Sequence, residues 1–211
     1  MRHIAEILLK TNAVKLSINP PFTWTSGIKS PCYCDNRILI SFPEYRDQIV
    51  KSFIEMINSL EVKIDVIAGT ATAGIPWASF IAMEMNLPMV FVRSKPKEHG
   101  TKKQIEGVIE DGQNVLIIED LISTGKSSIV AVNAVKLESG GNVIGVMAIM
   151  DWQMQIAQDN FKNANTNYWT LANFSELIPL AVEKDYIQKQ DQDIILSFKN
   201  DPQAWDKNLK N

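Results

Sequence analysis

Short apolar runs alternate with longer amphipathic segments along most of this 211-residue chain. The runs carry apolar side chains on both faces, which is typical of strands buried inside a parallel sheet. The segments between them repeat apolar residues at helical spacing. Strands are predicted at 65–68, 87–92, 115–118, 143–150 and 168–171, and helices from 43 to about 60, from 75, at 129–137 and at 174–182. This alternation predicts an α/β fold, a parallel twisted sheet with helices on both faces.

The N-terminal residues follow a different pattern. A helical apolar stripe begins at Ile4 and fades near Leu16. Apolar and polar residues then alternate around Ser26-Gly27, which predicts a hairpin within about residues 18–42. Ser41 is the expected N-cap of the helix that starts at Pro43. With a core sheet over about residues 60–171 and a polar helical C-terminus anchored by Trp205, residues 1–211 are predicted to form a single domain.

Composition narrows the functional classes. The chain is 45% hydrophobic and 21% charged, with a net charge of −3, which argues against a general nucleic-acid binder. Its first ten residues lack the pattern of a signal peptide, and no apolar run approaches the roughly 18 residues of a membrane span. Cys32 and Cys34 are too close for a disulfide and too few for a zinc site. We expect a cytoplasmic protein with reduced thiols and no membrane partner.

The segment from Asn114 to Ser128 carries the strongest chemical signal. Glu119 and Asp120 follow an apolar strand directly, and ligands bind at this end of open α/β sheets. The Ser/Thr/Gly turn after them directs backbone N–H groups toward an anion in front of a helix. A sugar phosphate offers both the hydroxyls that carboxylates accept from and the phosphate. A nucleotide P-loop is excluded because its first glycine would fall at Asp120, whereas an ordinary capped strand-turn-helix stays an alternative.

Two further segments are predicted to face the same end of the sheet. The small-residue turn from Gly69 to Gly74 allows close approach to an anion, although a tightly packed crossover loop has the same composition. Arg93 to Gly107 contains five Lys or Arg residues and two acids, no apolar periodicity, and the breakers Pro96 and Gly100. A solvated loop and a nucleic-acid patch are alternatives, but its position after a strand favours an active-site lid.

These motifs together resemble a known enzyme family. The stretch from Glu119 to Gly125 is similar to the phosphoribosyl-diphosphate signature of type I phosphoribosyltransferases. The patterns S-G-x-x-S-P-x-Y-x-D-x-R from Ser26 and R-x-x-x-K-x-H-G from Arg93, the latter followed by I-E-G, resemble the hood and catalytic loop of orotate phosphoribosyltransferases. The resemblance implies transfer of 5-phosphoribosyl from phosphoribosyl diphosphate to orotate. The products would be orotidine 5'-phosphate and diphosphate, in de novo pyrimidine (UMP) synthesis.

The resemblance also implies site residues, a cofactor and an assembly. The implied catalytic residues are Lys97, His99 and Asp120, and those at orotate are Tyr33, Cys34 and Ser123. Phosphoribosyl diphosphate would contact Arg93, Lys97, His99, Glu119, Asp120, Leu121, Ile122, Ser123, Thr124, Gly125, Lys126 and Ser127. Mg²⁺ would be held through the diphosphate and ribose, without direct protein ligands. In the family the lid reaches the neighbouring subunit, which implies a homodimer with shared active sites.

The chain departs from the family pattern at four positions. Thr25, Ala73 and Ser94 stand where many members carry a lysine, and Trp152 stands where many carry the arginine that binds the carboxylate of the base. Two alternative functions stay open: a phosphoribosyltransferase for another base, or a non-catalytic regulator that senses phosphoribosyl diphosphate and binds DNA or RNA. The hood and lid motifs argue against the first alternative. The acidic balance and the absence of a helix-turn-helix pattern argue against the second.

Overall fold

A computed structural model describes residues 2–24, 26–96 and 103–208. The strands are β1 Val14–Leu16, β2 Phe22–Thr23, β3 Lys29–Ser30, β4 Cys32–Cys34, β5 Val66–Thr70, β6 Met89–Val92, β7 Ile105–Glu106, β8 Asn114–Ile122, β9 Asn142–Asp151 and β10 Tyr168–Asn173. The helices are α1 Arg2–Lys10, α2 Pro43–Asn58, α3 Gly74–Met85, α4 Lys126–Glu138, α5 Gln155–Asn163, α6 Phe174–Glu183, α7 Gln192–Ser197 and α8 Trp205–Asn208. Short 3-10 helices span Asn36–Ser41 and Lys189–Asp191.

The core is a six-stranded sheet in the order β10-β9-β8-β5-β6-β7. Five of its strands are parallel, and only the two-residue edge strand β7 runs antiparallel to its neighbour β6. The predicted α/β fold with a parallel sheet is therefore confirmed. Within the described part of the chain, no helix is long and apolar enough to cross a membrane.

The central strands β5 and β8 mark the point where the order of the sheet reverses. From β5 the chain moves outward to β6 and β7, and it then returns to place β8 on the other side of β5. Parallel sheets open a crevice outside the carboxyl ends of the strands at such a reversal. The loops after Thr70 and Ile122 border this crevice.

Apolar side chains pack on both faces of the sheet, because successive side chains of a strand point to opposite sides. Along β8, Leu116 and Ile118 belong to one buried cluster and Val115 and Ile117 to the other. The first cluster contains the apolar faces of α1, α2, α3 and α6, and the second contains those of α4 and α5. Burial on both faces explains why residues 115–118 of β8 form an uninterrupted apolar run.

The N-terminal region was only partly predicted. The hairpin around Ser26-Gly27 is confirmed by the antiparallel pairing of β2 and β3. The helical prediction to near Leu16 was wrong, because α1 ends at Lys10 and residues 14–16 pair with β4 as a strand. Ser41 was also assigned wrongly as an N-cap: it lies in a 3-10 turn, and Phe42 precedes Pro43 at the start of α2.

Two elements near the crevice, strand β8 and helix α5, also differ from the prediction. β8 extends through both carboxylates to Ile122, because Leu121 and Ile122 still pair with Met150 and Asp151 of β9. Helix α5 was not predicted, since Ala157 and Phe161 are the only buried residues in its nine-residue span. At the C-terminus Trp205 is buried, and its Nε1 donates to Ile194 O at 2.8 Å, as expected of an anchor.

Candidate active site

Glu119 connects the end of β8 to the first turn of α4. Its side chain is only 4% exposed, and its Oε2 accepts hydrogen bonds from Ser127 Oγ at 2.8 Å and from Ser128 Oγ at 3.4 Å. Its Oε1 lies 3.1 Å from the backbone N of Asp120. A buried carboxylate needs such donors to offset the loss of hydration. The Glu119 side chain therefore ties the turn between strand and helix to the strand end.

Asp120 is a partly buried carboxyl group at the mouth of the crevice. Burial, together with the neighbouring charge of Glu119, raises the pKa of Asp120 to about 7. A carboxyl group normally titrates near pH 4, so in this site the charged form is disfavoured until a compensating partner arrives. Strongly shifted groups in a cleft are typical of functional sites. Asp120 is thus suited to act on a ligand that develops positive charge.

The turn between β8 and α4 is supported from outside by α5. Gly125 has φ +70°, and a Cβ at this position would lie 2.9 Å from Phe161 Cε2. Asn160 Nδ2 donates to Thr124 O at 2.9 Å. The turn therefore has a defined path in front of the α4 N-terminus, where backbone N–H groups favour an anion. Asn160 and Phe161 were not predicted from the sequence, where the four-residue spacing of Ala157 and Phe161 was the available signal.

The turn after β5 packs directly against the end of β8. Thr70 Oγ1 donates to Ile118 O at 3.2 Å, and a Cβ on Gly74 would overlap both of these oxygen atoms. The peptide between Ala71 and Thr72 is cis. The two loops thus lie side by side over the sheet reversal, one rich in hydroxyls and the other built from small residues.

A cavity of about 550 Å³ lies between the hood hairpin and the end of β8. Its wall includes Tyr33, Cys34 and Ser123, the three residues predicted from the sequence to contact the base. The complete lining is Thr23, Trp24, Ser26, Ile28, Tyr33, Cys34, Leu121, Ser123, Thr124, Trp152, Met154 and Gln203. The structure therefore brings the predicted base residues together beside the predicted phosphate turn, in a cavity of a size suited to a small ligand.

Trp152 is part of the aromatic support of this cavity. It is 1% exposed, meets Phe174 edge-on at 5.4 Å between ring centroids, and lies 6.4 Å from the ring of Trp24. Trp24 in turn donates from Nε1 to Cys32 O at 2.9 Å and packs against Phe198. A charged side chain would be costly in this apolar setting. Trp152, at the position where the family resemblance led us to expect an arginine, is therefore a buried packing residue.

Asn36 links the hood to β8 and was not singled out from the sequence. Its side chain is 1% exposed; Nδ2 donates to Asp120 O at 2.7 Å, and Oδ1 accepts from Cys34 Sγ at 3.2 Å. One buried amide therefore contacts both a cavity-wall residue and the backbone of Asp120. No spacing rule indicates such a bond, because the partners are 84 residues apart.

Asn36→Ala is expected to lower the free energy of unfolding by about 2 kcal/mol, since it removes two hydrogen bonds from a buried site. Urea unfolding of the variant and the wild type measures this difference. Asn163→Ala, at an exposed position on α5, is the matched control and should change stability by less than about 0.5 kcal/mol. Equal stabilities of the two variants would contradict a structural link through Asn36.

The remaining predicted residues fall into two groups. Lys97, His99 and Thr25 lie outside the described residues. Arg93 follows β6, where its Nη1 lies 3.5 Å from Glu106 Oε1, and Lys126 is exposed at the start of α4. Among the residues that the structure describes, no group of three or more His, Cys, Asp or Glu side chains is arranged to hold a metal ion.

Sequence comparison relates the chain to enzymes of nucleotide metabolism. A family model for the phosphoribosyl transferase domain matches residues 43–172. Orotate phosphoribosyltransferase of Streptococcus pneumoniae serotype 19F is 48% identical over 204 residues, which covers 97% of each chain. Orotate phosphoribosyltransferase of Coxiella burnetii is 46% identical over 202 residues, which covers 96% of each chain.

Solved structures agree with this relationship. The chain superimposes on Leishmania donovani UMP synthase with a TM-score of 0.79 at 27% identity, over 94% of this chain and 42% of that longer chain. It superimposes on orotate phosphoribosyltransferase from Aeropyrum pernix with a TM-score of 0.73 at 25% identity, over 86% of this chain and 97% of the other.

Proposed function

Because the chain belongs to the orotate phosphoribosyltransferase family, we propose that it transfers 5-phosphoribosyl from phosphoribosyl diphosphate to orotate, in pyrimidine nucleotide synthesis. The products are orotidine 5'-phosphate and diphosphate. One observation carries the proposal to this chain: Asp120 lies near the end of β8, directly before the hydroxyl-rich turn that leads into α4, and the cavity beside this turn is lined by Tyr33, Cys34 and Ser123. A ribose there would have its phosphate on one side and its base on the other.

The turn from Ser123 to Ser127 would hold the 5-phosphate. N–H groups of the first turn of α4 and the hydroxyls of Ser123 and Thr124 are suitable donors to phosphate oxygens. Glu119 supports this arrangement because its carboxylate accepts from Ser127 and Ser128. We therefore assign Glu119 a positioning role in addition to the ribose contact that the family resemblance implies.

Asp120 would act on the ribose ring. Breaking the bond between C1 and the diphosphate oxygen places positive charge on the ribose and negative charge on the leaving group. A carboxylate near the sugar stabilises the first of these charges, and it does so strongly in a partly buried site. No covalent intermediate with the protein is needed, so catalysis consists of positioning and electrostatic stabilisation.

The diphosphate would lie beside the turn from Gly69 to Gly74. Phosphoribosyltransferases generally use Mg²⁺ with this substrate, and the donors here suit a cation held mainly by the substrate. Mg²⁺ prefers to keep several waters and to bind one or two carboxylates plus phosphate oxygens. Here the cation would be held through the diphosphate and the ribose hydroxyls, with water completing its shell and without a direct protein ligand. When bound, Mg²⁺ neutralises charge on the departing diphosphate.

The basic segment after β6 would cover the bound substrates. Arg93, Lys97 and His99 supply positive charge for the diphosphate, and closure excludes water that would hydrolyse the sugar diphosphate. We further propose a homodimer in which this lid serves the partner's site.

A turnover assay tests the main proposal. Loss of the ultraviolet band of orotate should require phosphoribosyl diphosphate and Mg²⁺, and it should match the diphosphate released. Parallel reactions with adenine and with uracil serve as controls for the base. Consumption of adenine without consumption of orotate would reject the proposed substrate, and release of no diphosphate with any base would reject the enzymatic activity.

Complementation between two inactive variants tests the shared site. Asp120→Asn removes the ribose carboxylate and Lys97→Ala removes a lid charge, so each variant alone should be nearly inactive. If lids serve the partner's site, a mixed dimer has one site with both defects and one site with neither. Co-refolding of equal amounts should then restore roughly a quarter of wild-type activity, since half of the randomly paired dimers are mixed.

The control is each variant refolded alone, with mixed dimers identified by a tag on one variant. A tagged and purified mixed dimer that is as inactive as its parents would contradict the shared site.

A further inference from the structure

The cavity assigned to the base has no charged side chain in its described wall. Its polar groups include the hydroxyls of Thr23, Ser26, Tyr33, Ser123 and Thr124, the thiol of Cys34 and the amide of Gln203. Orotate differs from uracil by a carboxylate at C6, which is ionised at neutral pH. Removing a carboxylate from water without a positive partner is costly. A uracil-like ring would suit this wall, but the carboxylate requires a cation from close by.

Three cationic residues occur between Val14 and Ser41, namely Lys15, Lys29 and Arg37. Two of these cations, Arg37 and Lys15, interact electrostatically with the carboxylate of Asp35. Arg37 binds Asp35 through two hydrogen bonds of 2.6 and 2.9 Å, and the charge of Lys15 also acts on Asp35. These two cations therefore already face a negative group on the hood.

Lys29 has a different environment. It lies opposite Thr23 in the register of β2 and β3, so the two side chains share a face. Its Nζ donates to Thr23 Oγ1 at 2.6 Å, and Thr23 forms part of the cavity wall. Among the described residues Lys29 makes no ion pair. Its ammonium group is exposed and has three N–H donors on a flexible stem, so it can bind a carboxylate while keeping its contact with Thr23.

We propose that Lys29 determines specificity for the carboxylate of the base, supplying the charge that Trp152 does not. The proposal rests on the proposed function and identifies the group by which the enzyme distinguishes orotate from uracil. The buried position of Trp152 in the aromatic cluster leaves no room for a cation there. A lysine at the rim of the cavity provides the charge from the hood side and avoids placing it in the apolar core.

The proposal can be tested by measuring the binding of the product nucleotide, which requires no catalytic turnover. Orotidine 5'-phosphate and uridine 5'-phosphate differ only by the carboxylate, so the ratio of their dissociation constants reports recognition of that group. Titration calorimetry with both nucleotides is carried out on the wild type, Lys29→Met, Lys29→Arg and Lys15→Met. The Lys15 variant is the matched control, because it removes the same charge from β1, the strand that pairs with β4.

Lys29→Met is expected to weaken orotidine 5'-phosphate binding about tenfold or more, the effect of losing a hydrogen bond to a charged group, while uridine 5'-phosphate binding stays within about twofold. Lys29→Arg should keep most of the preference, and Lys15→Met should keep all of it. The proposal fails if Lys29→Met retains the wild-type ratio, if it weakens both nucleotides equally, or if Lys15→Met has the same effect. A wild-type protein that neither consumes orotate nor binds its nucleotide would instead reject the proposed function.

Discussion

Replacement of Asp120 by asparagine is expected to lower turnover by at least about 100-fold, the scale of removing one preorganised electrostatic partner. The amide keeps the size of the side chain but carries no negative charge for the ribose in the transition state.

The pKa of Asp120, raised to about 7, predicts that the activity of the wild type depends on pH. In the wild type, kcat/KM should fall as pH drops below about 7, because the carboxyl group becomes protonated and neutral.

The same substitution is expected to stabilise the folded protein at alkaline pH. A carboxyl group with a raised pKa favours folding while it is protonated, and this contribution disappears as pH rises from about 4 through about 7. The wild type carries this cost at pH 8, whereas the asparagine variant does not. We expect Asp120→Asn to raise the free energy of unfolding at pH 8 by on the order of 2 kcal/mol, with little difference at pH 4.

Urea unfolding at the two pH values and steady-state kinetics measure these effects on one pair of proteins. Asp193→Asn is the matched control, since it removes an exposed carboxylate from α7 and should alter neither quantity by much. A folded Asp120→Asn variant with near-wild-type turnover would contradict the assignment of Asp120 to the ribose. The raised pKa would be contradicted if the difference in free energy of unfolding, variant minus wild type, were smaller at pH 8 than at pH 4.

Gly74→Ala is expected to lower the free energy of unfolding by about 3 kcal/mol, at the upper end for overpacking of a tight site. The added Cβ would overlap the backbone oxygen Ile118 O, which cannot rotate away, and the side-chain oxygen Thr70 Oγ1, whose hydrogen bond to Ile118 O would be disturbed. For a domain of this size the midpoint of thermal unfolding should fall by about 6–12 °C. Turnover should fall as well, because the displaced strand end carries Glu119 and Asp120.

Gly112→Ala separates this steric effect from the ordinary cost of replacing glycine. Gly112 has φ +77° and no atom within 4 Å of an added Cβ, so only backbone strain of about 1 kcal/mol is expected, with unchanged turnover. Differential scanning calorimetry and the orotate assay compare the two variants. Equal stability of the two would show that the Gly69–Gly74 turn can move away from β8, contrary to the packing seen in the structure.

The central features of the fold can be predicted from local sequence, because each depends on residues that are adjacent in the chain. The run from Val115 to Ile118 is apolar on both faces, which identifies a strand covered on both sides, and the Ser/Thr/Gly turn after Asp120 identifies a helix start. Strand ends in a parallel sheet gather at one edge. The meeting of the β5 turn, the β8 turn and the hood at one crevice was therefore predictable in outline, as was the family by its motifs.

Features that depend on contacts with residues distant in the sequence could not be predicted in this way. Residues 14–16 continue an apolar pattern that also suits a helix, and only pairing with Cys32–Cys34 makes them a strand. Helix α5 has few apolar residues of its own and is defined by packing of Phe161 against Gly125, in the turn between β8 and α4. Local propensity is weak in both segments, so tertiary contacts decided their structure.

The features of the candidate site also fall into those set by adjacent residues and those set by contacts between distant residues. The sequence by itself determined that two carboxylates follow β8 beside a hydroxyl turn, because those residues are adjacent in the chain. Only the tertiary structure decided that Glu119 turns inward to two serines while Asp120 remains at the crevice with a raised pKa. It also decided that Asn36 joins the hood to Asp120 and that Trp152 is a packing residue. Burial, and the long-range hydrogen bonds it requires, depend on residues up to 84 positions apart, and no local pattern contains them.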